Sequence, residues 1–84
     1  MTYRLAIKPS AGKELERLED TTLRRIDAAI LKLAENPRPQ GSKKLTGVPL
    51  YRLRIGTYRV IYEVDDLKSL ITIVTIAHRR EAYR

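Results

Sequence analysis

The sequence has no cysteine and only one histidine, His78. The first absence excludes disulfides, thiol nucleophiles and cysteine-ligated zinc. The second excludes a metal site built on several imidazoles. No apolar run is long enough to span a membrane and no signal-peptide pattern is present, so the expected location is the cytoplasm, without a membrane partner. Several enzyme classes also lack their signatures. No glycine-rich phosphate loop follows a strand, no Ser/His/Asp arrangement has independent support, and no pair of acids stands where a metal would need it. Asp65-Asp66 reads as turn chemistry.

What the chain does have is positive charge. Its 84 residues carry 17 Lys and Arg against 10 Asp and Glu, a net charge of +7, within an otherwise ordinary globular composition of 43% hydrophobic and 32% charged residues. Such a length fits one domain, residues 1–84, with no room for a second core. The charge is uneven: residues 1–42 carry +2 and residues 43–84 carry +5. A field of this kind on a small domain attracts polyanions: nucleic acid, a ribosome, an acidic protein or an anionic membrane surface.

Residues 3–8 alternate Tyr3, Leu5, Ile7 against Arg4, Ala6, Lys8, the period-2 pattern of a half-buried strand. Pro9 and Ser10 interrupt it, with Ser10 placed to cap a helix through Leu18. A second helix is expected over residues 22–35, where Leu23, Ile26, Ile30 and Leu33 form one apolar stripe, and Asn36-Pro37 ends it. Asp20 and Thr21 leave only a tight link, which makes the two helices an antiparallel hairpin. Residues 37–47 read as a loop exposing Lys43 and Lys44. Strands are expected over residues 50–55, 58–64 and 70–77, the first two joined by Gly56-Thr57, a type II′ hairpin turn. Residues 78–84 form a short polar tail with a helical turn. The fold class is therefore α+β, in the order β-α-α-β-β-β. We expect a mainly antiparallel four-stranded sheet in which the residue 50–55 strand runs antiparallel to the first, with the helix pair packed on one face.

The turn sets the hairpin register: Ile55 opposite Tyr58, Arg54 opposite Arg59, Leu53 opposite Val60, Arg52 opposite Ile61. Alternation then puts Tyr51, Leu53, Ile55, Tyr58, Val60 and Tyr62 on the helix-covered face, and Arg52, Arg54 and Arg59 on the other. Directly opposed like charges destabilise a sheet. Either a polyanion supplies the countercharge, since guanidinium forks suit bidentate phosphate binding, or each arginine runs to solvent or pairs with Glu63 or a tail carboxylate. The last strand ends in His78, Arg79, Arg80 and Tyr83, groups able to stabilise charge, move a proton and stack on a base, or equally to form a solvated end.

Two segments, LTGVPLYRLRIGTYRVIY from Leu45 to Tyr62 and IAHRREAY from Ile76 to Tyr83, resemble the RelE family within the RelE/ParE toxin superfamily. The resemblance rests on the L-x-G loop, the Y-R-x-R-x-G-x-Y-R-x-x-Y hairpin and the H-R-x-x-x-Y end, and it covers essentially the whole chain. It implies the RelE-like microbial ribonuclease fold and the toxin of a type II toxin–antitoxin pair. The implied activity is ribosome-dependent cleavage of messenger RNA in the A site, which halts translation. The implied partners are an acidic RelB-type antitoxin, the ribosome with its mRNA, and DNA only indirectly, through the toxin–antitoxin complex at its own promoter. The implied chemistry needs no metal or cofactor: the 2′-hydroxyl attacks the adjacent phosphate and the 5′-oxygen leaves. By match to the family motif, Arg59 holds the scissile phosphate, Arg79 stands near the leaving group, and Tyr83 stacks on or orients the nucleotide and assists the 2′-hydroxyl. Arg52 and Arg54 fall where some members have lysine. Arg54 then joins the catalytic set as a charge stabiliser, because arginine is not a general base. Arg52, Arg54, Lys43 and Lys44 are candidate phosphate ligands, and His78 is a candidate for proton transfer. Two alternatives share the fold: a ParE-like toxin that poisons DNA gyrase, and a catalytically inactive RNA- or antitoxin-binding module.

Overall fold

Apolar residues at spacings of three and four turn both helices toward one sheet face. In a computed structural model that describes residues 2–78, α1 (Pro9–Glu16) buries Ala11 and Leu15, and α2 (Asp20–Glu35) buries Ile26, Ile30, Leu33 and Ala34. Their opposite numbers are Val60, Tyr62, Ile71, Ile73 and Ile76 on the two central strands, which complete a two-layer core. Pro9, not Ser10, begins α1. It occupies the first helical turn, where a missing N–H costs nothing, and Lys8 is the N-cap. The Ser10 hydroxyl donates instead to the Val74 carbonyl at 3.4 Å. Asp20 and Thr21 belong to the first turn of α2, so residues 17–19 make the link between the helices.

The sheet has five strands rather than four: β1 (Arg4–Ile7), β2 (Lys43–Lys44), β3 (Tyr51–Ile55), β4 (Tyr58–Asp65) and β5 (Leu70–His78), in the spatial order β1-β5-β4-β3-β2. The additional strand, β2, changes the direction of the hairpin strands after it. It pairs antiparallel with β3 and so reverses the chain once more before the hairpin. β3 therefore runs parallel to β1, not antiparallel as expected, and β1 pairs parallel with β5, Arg4 opposite Leu70 through Ile7 opposite Ile73. The other three pairings are antiparallel.

A bulge shapes β5. Ile61 lies opposite Thr75 but Tyr62 lies opposite Ile73, which leaves Val74 as the extra residue. Ile73 and Ile76 are three apart and would point to opposite faces of an unbroken strand. The inserted residue lets both enter the core, where neither is more than 1% exposed.

One end of the sheet is held by a polar network. Arg38 Nη2 meets Asp66 Oδ2 at 2.8 Å, Tyr3 donates its hydroxyl to Asp66 Oδ1 at 2.6 Å, and Arg38 Nε donates to the Tyr51 hydroxyl at 3.0 Å. Tyr51 stacks on Tyr62 at 5.7 Å between centroids, and the buried Tyr62 donates its hydroxyl to the Pro37 carbonyl at 2.7 Å. The segment after α2 is thereby tied to the sheet before it enters β2. Asp65 Oδ1 accepts from the Lys68 amide at 3.0 Å, the turn chemistry expected of it. The Arg38 hydrogen bond, and after it that from Tyr3, holds the Asp66 carboxyl below the usual carboxylate range.

Tyr62→Phe keeps the ring and the core but removes the hydroxyl that donates to the Pro37 carbonyl, and should cost about 1 kcal/mol. Urea unfolding should show a lower midpoint at an unchanged slope; an unmoved midpoint would mean that the bond contributes nothing net. The lowered Asp66 pKa gives a second expectation, with its sign. The stabilisation is complete above the ordinary carboxylate value of about 4, and is lost as pH falls through the lower folded-state value. Thermal melts of Asp66→Asn across that acid range should therefore depend less on pH than those of the wild type.

Candidate RNA interface and toxin family

The β3–β4 register is the one the turn dictates: Ile55 opposite Tyr58, Arg54 opposite Arg59, Leu53 opposite Val60, Arg52 opposite Ile61. Gly56 sits at φ +60° while Thr57 keeps an ordinary negative φ, the combination of a type II′ turn. The helix-covered face holds Val60 and Tyr62 fully buried, with Tyr51, Leu53, Ile55 and Tyr58 packed around them.

Among the described residues no helix lies on the opposite face, which carries two cross-strand rows. The row nearer the turn reads Arg54, Arg59, Ala77; the next reads Lys43, Arg52, Ile61, Thr75. Ala77 and Thr75 are small, so the guanidinium groups are not crowded from β5. Arg54 is exposed, whereas Arg52 and Arg59 are half-buried. Arg52 Nε is buried and makes no hydrogen bond among the described residues. An unsatisfied buried donor of this kind costs about 1–3 kcal/mol.

Two candidates fall elsewhere. Lys44 is paired with Tyr51 and so belongs to the other side of the sheet from Lys43, because successive strand residues alternate. His78 pairs with Tyr58, on the side of Val60 and Ile76, and meets the Tyr58 ring edge-on at 5.2 Å and 83°. The bulge at Val74 sets this parity: without it, β5 would present His78 on the arginine side. Arg79 and Tyr83, together with the expected helical turn of the tail, lie outside the described residues.

Two other arginines escaped the sequence reading. Arg38 joins Asp66 across 28 residues, and Arg25 on α2 reaches the tip of the β3–β4 hairpin, where a Cβ built on Gly56 would lie 3.4 Å from its Nη1. Neither contact has a local signal, since each depends on how the helix layer sits on the sheet.

Comparison with known proteins agrees with this architecture. The family model described as the ParE toxin of the type II toxin–antitoxin system parDE matches residues 5–83. Toxin RelE of Mycobacterium tuberculosis is 33% identical over 89 residues, covering 98% of this chain and 87% of that protein. The mRNA interferase toxin RelE of Escherichia coli is 28% identical over 85 residues, covering 98% of this chain and 88% of its own. Among solved structures, the archaeal RelE–RelB complex from Pyrococcus horikoshii contains a chain that superposes with a TM-score of 0.85 at 35% identity, covering 94% of this chain and 97% of that one. A toxin-family match running from β1 past the end of β5, and a relative one-third identical along nearly the whole length, place the chain in the RelE family of the RelE/ParE superfamily, the toxins of type II toxin–antitoxin systems.

Proposed function

We propose that the chain is a ribosome-dependent endoribonuclease that cuts messenger RNA in the A site and so arrests translation. The observation that carries this reading is the sheet face away from the helices, on which Arg52, Arg54 and Arg59 stand together with Arg54 directly opposite Arg59. Two relatives support it: those of Escherichia coli and Shigella flexneri, each 28% identical to this chain, are named mRNA interferases.

In the proposed reaction Arg59 holds the scissile phosphate, and Arg54 faces it across the strand pair to offset the charge that builds on the phosphorane oxygens. Arg52 and Lys43, in the adjacent row, bind a neighbouring phosphate. Arg79 serves the leaving 5′-oxygen. Tyr83 orients the nucleotide and relays the 2′-hydroxyl proton, accepting it as its own phenol proton passes to a ribosomal group, a role that His78 is poorly placed to fill from the other side of the sheet. The bond from 2′-oxygen to phosphorus forms as the bond from phosphorus to 5′-oxygen breaks, and the departing oxygen, its charge offset by Arg79, takes a proton from water, leaving a 2′,3′-cyclic phosphate and a 5′-hydroxyl. The ribosome contributes what the small domain lacks, an in-line geometry for the message. An acidic antitoxin would neutralise the same arginine face; the RelE of Pyrococcus horikoshii and that of Escherichia coli have been crystallised with RelB partners.

The test is primer extension on a message in a reconstituted translation reaction, with and without ribosomes. Wild type should cut at A-site codons only when ribosomes are present. Arg59→Ala and Arg79→Ala should fold normally and lose cleavage by about a hundredfold or more. No cuts under either condition would overturn the reading. A DNA cleavage-complex assay would then examine gyrase poisoning, the alternative favoured by a family model that bears the ParE name.

A further inference from the structure

We infer that a second phosphate site lies at the tip of the β3–β4 hairpin, on the helix side of the sheet, where Arg25 takes a backbone phosphate of the RNA strand. The inference rests on the reading of the chain as an RNA-directed toxin.

The site is a hollow of about 40 Å³ between α2 and the turn, lined by Thr22, Arg25, Thr57 and Tyr58 over a floor of Ile26 and Ile55. Arg25 is exposed on the second turn of α2, yet its guanidinium is laid against the hairpin tip: Nη1, Nη2 and Cζ would lie 3.4, 3.5 and 3.7 Å from a Cβ on Gly56. No carboxylate or hydrogen-bond acceptor engages Arg25 among the described residues. Nothing within those residues therefore accounts for the position of the charge. The two threonine hydroxyls supply neutral donors beside a planar cation, the combination that suits a phosphate with oxygens pointing in several directions.

Gly56 serves this arrangement twice. Its φ of +60° makes the tight turn, and its bare Cα leaves the hollow open beside the guanidinium. The hairpin tip also connects the two faces of the sheet. Arg54 and Arg59 stand one residue pair back from the turn on the open face, while Arg25 stands over the turn from the helix face. An RNA strand whose scissile phosphate rests on Arg59 can pass around the tip and set a flanking phosphate on Arg25. This site would anchor the strand and take no part in bond cleavage.

The test is the binding of a short single-stranded, 2′-O-methylated RNA, which cannot be cut, to full-length wild type, Arg25→Ala and Arg24→Ala over a range of salt concentrations. Each phosphate contact to a single strand contributes about 0.7 to the slope of log K against log salt. Arg25→Ala should lower that slope by about 0.7. Arg24→Ala, which removes the same charge from the neighbouring position outside the hollow, should leave it in place. An unchanged slope in Arg25→Ala, or equal losses in both variants, would overturn the site and leave only a diffuse positive field. Inorganic phosphate at matched ionic strength separates the sources of the ligand. If it binds wild type more tightly than Arg25→Ala while the two proteins share one RNA slope, the hollow takes a free anion and the RNA assignment is overturned; if the RNA slope depends on Arg25, the strand is the ligand. Failure here is distinct from failure of the proposed activity. A wild type that cuts no message can still show the Arg25-dependent slope, and a cutting wild type can lack it.

Discussion

The register of the β3–β4 hairpin is the constraint on which the rest of the structure depends. Side chains along a strand alternate with a period of two, so a slip of one residue would carry Arg52, Arg54 and Arg59 under the helices and send Tyr51, Val60 and Tyr62 to solvent. Burying three guanidinium groups in an apolar layer is far beyond what a domain of this size can tolerate. Gly56 makes the correct register reachable with a two-residue turn, and Tyr62, fully buried with its hydroxyl on the Pro37 carbonyl, holds it from the core side. The opposed placement of Arg54 and Arg59 is a consequence of this register.

The remaining architecture answers the need to keep charge on one side. The bulge at Val74 allows Ile73 and Ile76 to share the core, and by the same step it sets Thr75 and Ala77 on the open face, where larger side chains would crowd the arginines. Acidic neutralisation is found at the far end of the sheet. Asp66 is engaged there by Arg38 and Tyr3, beside Tyr51, where the strands enter from α2 and from the β4–β5 turn. The turn end keeps Arg54, Arg59 and Arg25 within a few residues of the tip. The domain is thus polarised along its strands as well as across its sheet, with a fixed ion pair at one end and concentrated positive charge at the other.

Much of this was legible because it is local. Alternation between Tyr51 and Tyr62, a glycine-led turn and a stripe on α2 each need only a few neighbouring residues, and together they specify the arginine face and its opposed pair. What was not legible is non-local or depends on single-residue parity. β2 is two residues long and exists only because β3 offers it an edge, so nothing in Lys43-Lys44 itself announces a strand. That short strand was enough to reverse the expected direction of β3 relative to β1. It also separates the two lysines, one to each side of the sheet. His78 was displaced from the arginine side by an extra residue in a stretch, LITIVTIA, whose nearly uniform apolarity conceals where a bulge will form. Arg38 meets Asp66, and Arg25 reaches the hairpin tip, only after the helices dock.

Placing the arginines on the sheet face away from the helices has a physical consequence for how such a domain can change. The core term is supplied by the helices and the other face of the strands, and the arginines of the open face, although half-buried at Arg52 and Arg59, stand outside that core. Their charge, length and spacing can vary without a large loss of stability. Lysine and arginine can exchange at the positions of Arg52 and Arg54 on these grounds, though the exchange alters what each group can do: an arginine fixes a phosphate through two parallel hydrogen bonds but does not give up its proton. In the proposed reaction, arginine at both positions would forgo a potential base in favour of firmer anion binding. The proposed reaction must then draw its proton acceptor from elsewhere, and in doing so it becomes more dependent on the surface against which the RNA is held.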